Sequence, residues 1–344
     1  YVSKVVKPPR PVEVRAVSPR ANDPNDVIVI SLISGVMTVE SQVNLGILGR
    51  ILQNVLFSEL RTKRQLGYIV EGGYGVISNV DYITAIVQGS ALGADGMEVA
   101  IEGVFAKQMP ETLRKMPEDE FQGFKDALVE SLIEPPKSTG AEQGHFWYPL
   151  KMGGRCFDYN AQSLKYLNSS LVTRKSLAAV WNDLVSPAKG MRQKMMVKYF
   201  SDRKAPPPRA SPEDFKKQLL EEGLPASSLP LLAEERGRAD VIDHRPLSAS
   251  RVQLEDQGGY FPTDLHCELQ PKTLELLQAG TSKASALPAT TTTATTPTSS
   301  SAPPTTTTPP APPTSTAPQT STAPPTSTAP PAGTSTAAPS STEA

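Results

Sequence analysis

The sequence predicts an α+β fold in which helices are layered on one face of a mostly antiparallel sheet. A β-branched run at 27–33 follows a cluster of turn-forming residues and predicts a buried strand. Apolar residues then recur at spacings of three and four between residues 41 and 64, which predicts a long amphipathic helix. Strands are predicted next at 68–70 and 80–88, before a run of consecutive helices. This order is typical of α+β domains.

Proline positions and apolar spacing predict the remaining elements. A helix at 97–109 is expected to be closed by Pro110, and Pro117 is expected to open the next helix. The glycine-rich stretch at 72–75 predicts a flexible or bulged connection after the second strand. The later predicted elements are helices at 141–151, 161–171 and 174–184, a strand at 195–200, and a helix at 212–222.

The last part of the chain has a composition that cannot build a core. Of the 64 residues at 281–344, 59 are Thr, Pro, Ala or Ser. Ordering the backbone costs roughly 1 to 2 kcal/mol per residue, and these side chains bury too little apolar surface to offset that cost. We therefore predict a folded domain at 1–278 and a disordered, mucin-like tail at 279–344.

Charge and cysteine content exclude several classes of protein. The chain has 34 basic and 35 acidic residues and a net charge of -1, which gives no reason to expect nucleic acid or an anionic membrane as a partner. No apolar run reaches the roughly 18 to 20 residues that a transmembrane helix needs. Cys156 and Cys267 show no metal-binding or disulfide-framework spacing.

The segment 57–70, F-S-E-L-R-T-K-R-Q-L-G-Y-I-V, places an arginine and a tyrosine where the long helix gives way to a strand. It resembles the signature of the last domain of insulin-degrading-enzyme, pitrilysin and nardilysin-type zinc peptidases. Segments at 134–138, 146–147 and 160–167 occur in the order found in that family. The resemblance covers about residues 20–200, continues more weakly to about residue 265, and implies the metallopeptidase-like repeat domain of the insulinase family.

The resemblance implies a zinc metalloendopeptidase that hydrolyses peptides, but this chain lacks the zinc motif of those enzymes. They use H-x-x-E-H, whereas His145, His244 and His266 are isolated from one another. His145 is interpreted as a packing residue, and the other two are too few for a zinc site. Zinc in the complete enzyme is therefore expected in an N-terminal half, on the same full-length chain or a separate subunit. This chain alone is expected to bind no zinc and to be inactive.

Two residues of the signature carry the implied chemistry. Family members have an arginine and a tyrosine that face the zinc across a closed chamber, and the matching positions here are Arg61 and Tyr68. Hydroxide attack on a peptide carbonyl creates an oxyanion, which a cation and a phenolic O–H can stabilise. The alternative interpretation is structural: Arg61 caps its helix and Tyr68 packs as an ordinary strand aromatic.

One position departs from the family pattern. Family members commonly have an acidic residue where this chain has Arg64. The reversed charge could alter substrate preference, could pair with an acid of the partner half, or could mark a site that has decayed. Because lysine and arginine mostly lie on protein surfaces, Lys63 and Arg64 are expected to form a solvated basic face.

Two other functions stay open. The chain could be a non-catalytic partner or regulatory subunit of the same fold, a hypothesis that Arg64 and the missing zinc ligands favour. It could also be a secreted or surface glycoprotein whose mucin-like tail is its main feature. The resemblance favours a cytoplasmic location, whereas the tail favours a secreted or surface one.

Overall fold

The predicted sheet is present, and it has six strands among the residues that the computed structural model describes. Those residues are 5–18, 20, 22–151, 157–186, 192–201, 206–243, 259–262 and 268–284. The strands are β1 (Val12–Val17), β2 (Asp26–Val36), β3 (Ile69–Ile77), β4 (Val80–Gly89), β5 (Lys194–Phe200) and β6 (Asp240–Asp243). They lie in the order β3-β4-β2-β5-β1-β6. The pairs β3/β4, β4/β2 and β2/β5 are antiparallel, and β1 is parallel to β5 and β6. The mostly antiparallel sheet is therefore confirmed.

Helices cover one face of this sheet. Within the same residues they are α1 (Val39–Leu56), α2 (Ala94–Gly103), α3 (Met109–Lys115), α4 (Glu118–Ile133), α5 (Thr139–Lys151), α6 (Tyr159–Leu167), α7 (Arg174–Val185), α8 (Pro212–Glu221), α9 (Leu229–Arg238) and α10 (Pro271–Ala284). On β2, Ile28, Ile30 and Leu32 are fully buried, while the residues between them are half-buried. The three buried residues share one core with α1 residues such as Leu48, so the layered α+β arrangement is confirmed.

Helix α1 packs directly against the backbone of β3. The helix begins with a capping box, in which the Thr38 hydroxyl accepts from the Ser41 N–H and the Ser41 hydroxyl accepts from the Thr38 N–H. Farther along, a Cβ added at Gly49 would lie 2.4 Å from the backbone nitrogen of Tyr74. Only glycine allows this close approach, which sets how closely the middle of α1 packs against β3.

The glycine-rich stretch 72–75 belongs to a regular strand, so the predicted flexible or bulged connection was wrong. Strand β3 pairs with β4 through its whole length without a register shift. A Cβ at Gly72 would lie 2.3 Å from the Leu56 side chain, and one at Gly75 would lie 2.5 Å from the Tyr82 ring. These glycines therefore serve close packing.

The prediction that Pro110 closes a helix was also wrong. A π-helical turn at Val104–Gln108 joins α2 to α3, and Pro110 lies in the first turn of α3. Proline is tolerated there because the first N–H groups of a helix have no partner within it. The strands β1 and β6 and the helices α9 and α10 were not predicted.

The end of the chain is described only in part. Helix α10 extends across residue 278, the predicted end of the folded domain, as far as Ala284. Residues 285–344 of the predicted tail lie outside the described residues. No helix in the described ranges has the length and apolar character needed to span a bilayer.

Asp81 on β4 is a fully buried carboxylate. It accepts hydrogen bonds from the Ser41 hydroxyl and, at 2.6 Å, from the Tyr74 hydroxyl. Burial raises the pKa of Asp81 from 3.8 to about 6, although both hydroxyl donors oppose the rise. The fold therefore favours the protonated form. The stability that the protonated Asp81 side chain gives the folded state is complete below pH 3.8 and is lost as the pH rises through about 6.

Asp81→Asn should therefore change the pH dependence of stability. Between pH 4 and pH 7 we expect the unfolding free energy of the variant, relative to the parent, to rise by about 2 kcal/mol, most of the full effect of a shift of roughly two pKa units. Denaturant unfolding of the full chain at several pH values measures this difference. The exposed Asp119→Asn is the matched control, and a difference that stays constant with pH would contradict the prediction.

Candidate functional site

The predicted arginine lies on a π-helical turn that follows α1. This turn spans Phe57–Lys63 and shows the wide hydrogen-bond spacing of a π-helix, since the N–H of Arg64 donates to the carbonyl of Glu59 at 3.2 Å. Leu60 is fully buried and anchors the turn in the core. The chain then reverses at Gln65, whose φ of 53° lies in the left-handed region. π-Turns occur frequently at functional sites.

Arg61 lies between two aromatic rings. Its guanidinium carbon is 5.0 Å from the centre of the Phe57 ring and 5.0 Å from the centre of the Tyr68 ring. Both distances are within the range of cation–π attraction. Phe57 is 44% exposed and Tyr68 is 82% exposed, so the group lies on the surface of the described residues. The guanidinium of Arg61, which is half-buried, therefore contacts both rings.

The hydrogen-bond donors of this group are unpaired in the described part of the chain. Arg61 makes no hydrogen bond or ion pair there, and the Tyr68 hydroxyl makes no hydrogen bond. Arg61 therefore does not cap its helix by bonding a carbonyl of these residues. Tyr68 precedes β3 and is not packed as a strand aromatic. This geometry leaves five guanidinium N–H groups and one phenolic O–H available to a ligand.

Gly67 and Gly89 let two segments of the chain pass very close to each other. This glycine crossing brings Tyr68 back beside Arg61. A Cβ at Gly67 would lie 1.9 Å from the carbonyl oxygen of Gln88, and a Cβ at Gly89 would lie 2.0 Å from the carbonyl oxygen of Leu66. No side chain fits at either position. The chain can therefore turn sharply from Arg61 into β3 against the end of β4.

Of the two basic residues that were expected to form a solvated face, Lys63 fits that expectation and Arg64 does not. Lys63 is exposed and pairs with Glu59 at 2.5 Å, as a surface residue would. Arg64 is less exposed and pairs with Glu222, the residue that follows α8. The hydrogen bond from Arg64 to Glu222 raises the pKa of the guanidinium. The acid that compensates Arg64 thus lies within this chain.

A second group of functional interest, a buried charge cluster, was not predicted. It contains five carboxylates and six cationic side chains from β1, α2, β5, α9 and nearby segments. Its members are Glu13, Arg15, Asp95, Glu98, Glu102, Arg192, Lys194, Lys198, Arg209, Glu235 and Arg236. Buried charges on this scale require mutual pairing.

Contacts inside the cluster are bidentate or shared. Arg192 donates to both oxygens of Glu102, at 2.7 and 2.9 Å, and to both oxygens of Glu235 at the same two distances. Burial alone would raise the pKa of Glu102, but the charges of Arg192 and Lys194 outweigh it and lower that pKa to about 2. The carboxylates are thereby kept ionised in the interior.

Three of these carboxylates have the spacing of metal ligands. Oxygen atoms of Glu13, Asp95 and Glu98 lie within 4.8 Å of one another. The ammonium nitrogen of Lys198 lies 3.0 Å from Glu13, 2.5 Å from Asp95 and 2.7 Å from Glu98. A cation of the chain itself already occupies the place that a metal would take, so this cluster does not fit zinc.

A sequence signal for the cluster exists. Asp95, Glu98 and Glu102 are spaced three and four apart and so lie on one face of α2. Lys194 and Lys198 are four apart on β5 and so share one face of the sheet. Complementary charge on a helix and a strand is a detectable pattern, although it does not reveal that both faces are buried.

The other candidate ligands do not form a site in the described residues. His145 is exposed on α5, with its ring 5.3 Å from that of Phe146. His244, His266, Cys156 and Cys267 lie outside the described residues.

Comparisons with known proteins agree on one family of peptidases. A family model described as "PQQ synthase PqqF-like, C-terminal lobe domain 4" matches residues 47–147, which include Arg61 and Tyr68. The insulin-degrading enzyme of Drosophila melanogaster is 31% identical over 118 residues, covering 34% of this chain and 12% of that protein. The human insulin-degrading enzyme is 26% identical over 148 residues, covering 43% of this chain and 14% of that protein.

A plant relative also matches this chain, and one solved structure has a similar fold. A nardilysin-like protein of Arabidopsis thaliana is 26% identical over 125 residues, covering 36% of this chain and 12% of that protein. The crystal structure of pitrilysin matches with a TM-score of 0.53 at 18% identity, over 65% of this chain and 24% of that one. The matches span about an eighth of the length of the curated relatives. At this identity the pitrilysin structure supports the fold alone.

Proposed function

Because this chain contains a C-terminal domain of the insulinase family of peptidases, we propose that it supplies the substrate-chamber half of a zinc metalloendopeptidase. In this proposal the zinc and its ligands belong to an N-terminal half, on the same full-length chain or on a separate subunit. Peptides are the substrates. This chain without that half is inactive.

The observation that carries the proposal is the open group formed by Phe57, Arg61 and Tyr68. The guanidinium is positioned by two rings and has no hydrogen-bond or ion-pair partner in the described residues. A structural arginine would be expected to use its donors within the fold, as Arg192 does with Glu102. Unused donors on a restrained side chain favour a role in binding something outside the domain.

The chemistry follows from the donors. When a peptide carbonyl is attacked, its oxygen gains negative charge. Arg61 would donate N–H groups to that oxygen and offset its charge, and Tyr68 would donate its O–H. Charge-assisted donors in a site closed to water are worth several kcal/mol in the transition state. The two aromatic rings would limit the reorganisation of Arg61 during the reaction.

The alternative of a non-catalytic partner subunit loses one of its supports. The reversed charge at position 64 had favoured a decayed site, but the Glu222 carboxylate pairs with Arg64. The reversal therefore does not add a free cation beside Arg61. The missing zinc ligands still fit either function, because an N-terminal half would carry them in both cases.

A complementation assay tests the proposal. The 344-residue chain would be mixed with the zinc-bearing half of a related enzyme and given a library of quenched fluorescent peptides. We expect hydrolysis only in the mixture, and its loss on adding a chelator. A matched control uses a zinc half whose general-base glutamate is replaced by glutamine.

A covalent fusion of the two halves makes the outcome decisive, since it forces association. A folded fusion that binds zinc but hydrolyses no peptide in the library would contradict the catalytic proposal and support the partner subunit.

A further inference from the structure

We propose that the Arg64–Glu222 pair positions the segment 61–68, which carries Arg61 and Tyr68, so that Arg64 is a positioning residue for peptide hydrolysis. This inference rests on the proposed function. It concerns a residue that departs from the family pattern and a partner that lies beyond the matched family region, 47–147.

Glu222 is a rigid anchor. It directly follows α8, and its N–H donates to the carbonyl of Gln218 at 3.0 Å. Leu219 and Leu224, on either side of it in sequence, are both buried in the core beneath α8. The chain ends the helix at Gly223, whose φ of 84° suits glycine. The Glu222 backbone is therefore fixed by packing on both sides.

The neighbouring helix leaves space for the Glu222 side chain. A Cβ added at Gly103, the last residue of α2, would lie 2.8 Å from Oε1 of Glu222 and 3.0 Å from its Cγ. The carboxylate thus lies against bare backbone on one side and against Arg64 on the other. Its side chain is only 15% exposed, and that of Arg64 is 31% exposed. Partial burial strengthens an ion pair relative to one in open water.

Arg64 is placed where it controls the geometry of the site. It lies three residues after Arg61 and directly before Gln65, where the backbone enters the left-handed region. On the far side of this reversal, Gly67 contacts the backbone of Gln88 and Gly89. The segment between the arginine and the tyrosine is therefore held by three contacts: the Arg64–Glu222 pair, the hydrogen bond from the Leu66 N–H to the Leu60 carbonyl at 2.9 Å, and the glycine crossing. Releasing the first contact would let Arg61 move relative to Tyr68.

The test uses a double-mutant cycle in the active fusion of the two halves. We expect Arg64→Gln and Glu222→Gln each to lower kcat about tenfold to a hundredfold, the effect of a small misplacement of a reacting group. The double variant should lose no more than either single variant, because both remove the same interaction. Arg64→Lys should recover most of the activity, and Lys63→Gln, one position earlier, should match the parent.

A second measurement reads the geometry without activity. In NMR spectra of the 344-residue chain, the Nε–H signal of Arg61 should be shifted by the flanking rings of Phe57 and Tyr68, and Arg61→Lys identifies that signal. The shift should shrink in Arg64→Gln and Glu222→Gln and persist in Lys63→Gln.

The two measurements separate the possible failures. If the fusion is active but kcat and the Arg61 signal are unchanged in Arg64→Gln, the positioning role is overturned while the proposed function stands. If the fusion is inactive, the proposed function fails, and the NMR shift still decides whether the pair holds the turn. Additive losses in the double variant would also contradict the inference.

Discussion

Lys198→Met is expected to lower the free energy of unfolding of the chain by about 3 to 5 kcal/mol at pH 7, the usual effect of removing one partner from a buried ionic group. Lys198 is fully buried and contacts Glu13, Asp95 and Glu98 within 3.0 Å. Methionine has a similar length but no charge. The three carboxylates would keep their negative charge in the interior with one cation fewer.

The loss of unfolding free energy in Lys198→Met should depend on pH in a defined direction. The cations of the cluster hold the pKa values of Glu13, Asp95 and Glu98 below their usual range, despite the burial that works to raise them. Their stabilising contribution is therefore present above an unfolded pKa of about 4 and is lost as the pH falls. The deficit of Lys198→Met should be largest near neutral pH and should shrink in acid.

Denaturant unfolding at pH 7 and at successively lower pH values, down to about pH 2, measures both effects. Lys115→Met is the matched control, because Lys115 pairs with Glu111 on the exposed surface of α3 and its loss should have little effect on stability. In an Asp95→Asn/Lys198→Met double variant, the loss of unfolding free energy should be smaller than the sum of the losses in the two single variants. A Lys198→Met protein as stable as the parent at pH 7 would show that the ionic contacts contribute nothing net.

The same buried charge cluster explains why strand β1 was not predicted from the sequence. Strand β1 has the alternating sequence V-E-V-R-A-V, in which Glu13 and Arg15 alternate with apolar residues. Such alternation normally indicates one buried face and one solvated face. Here the charged face is buried as well, because its partners come from α2 and β5. Local periodicity does not contain that information.

Elements that a single local sequence pattern specifies were predictable. The β-branched run of β2 and the apolar spacing of α1 each follow from one local pattern, and both were confirmed. Pro110 misled the prediction because its position relative to the start of α3 decides whether it ends a helix or begins one. The glycines of β3 misled it because their role is to admit the side chains of Leu56 and Tyr82.

The candidate site could also be predicted only in part. Arg61 and Tyr68 could be identified because one short segment carries both. The contact of Arg61 with Phe57 depends on the π-turn, which no spacing rule indicated. The partner of Arg64 is 158 positions away in sequence, directly after α8, so the expectation of a solvated basic residue could not be corrected without the fold.

Arg61→Ala and Tyr68→Phe should each lower kcat of the complete enzyme by roughly tenfold to a thousandfold, the range measured when one donor to an oxyanion is removed. KM should change little, because these donors are expected to act mainly in the transition state. Neither change should destabilise the fold. Arg61 has no hydrogen-bond or ion-pair partner in the described residues, and Tyr68 is 82% exposed there.

Steady-state kinetics with a fluorogenic peptide, together with denaturant unfolding of each variant, test this prediction. Arg114→Ala is the matched control, since Arg114 is an exposed arginine on α3 and is not part of the turn. The double variant should lose less than the product of the two single losses, because both donors serve one oxygen. A raised KM with unchanged kcat would limit the pair to substrate binding, and unchanged kinetics in both variants would remove Arg61 and Tyr68 from the mechanism.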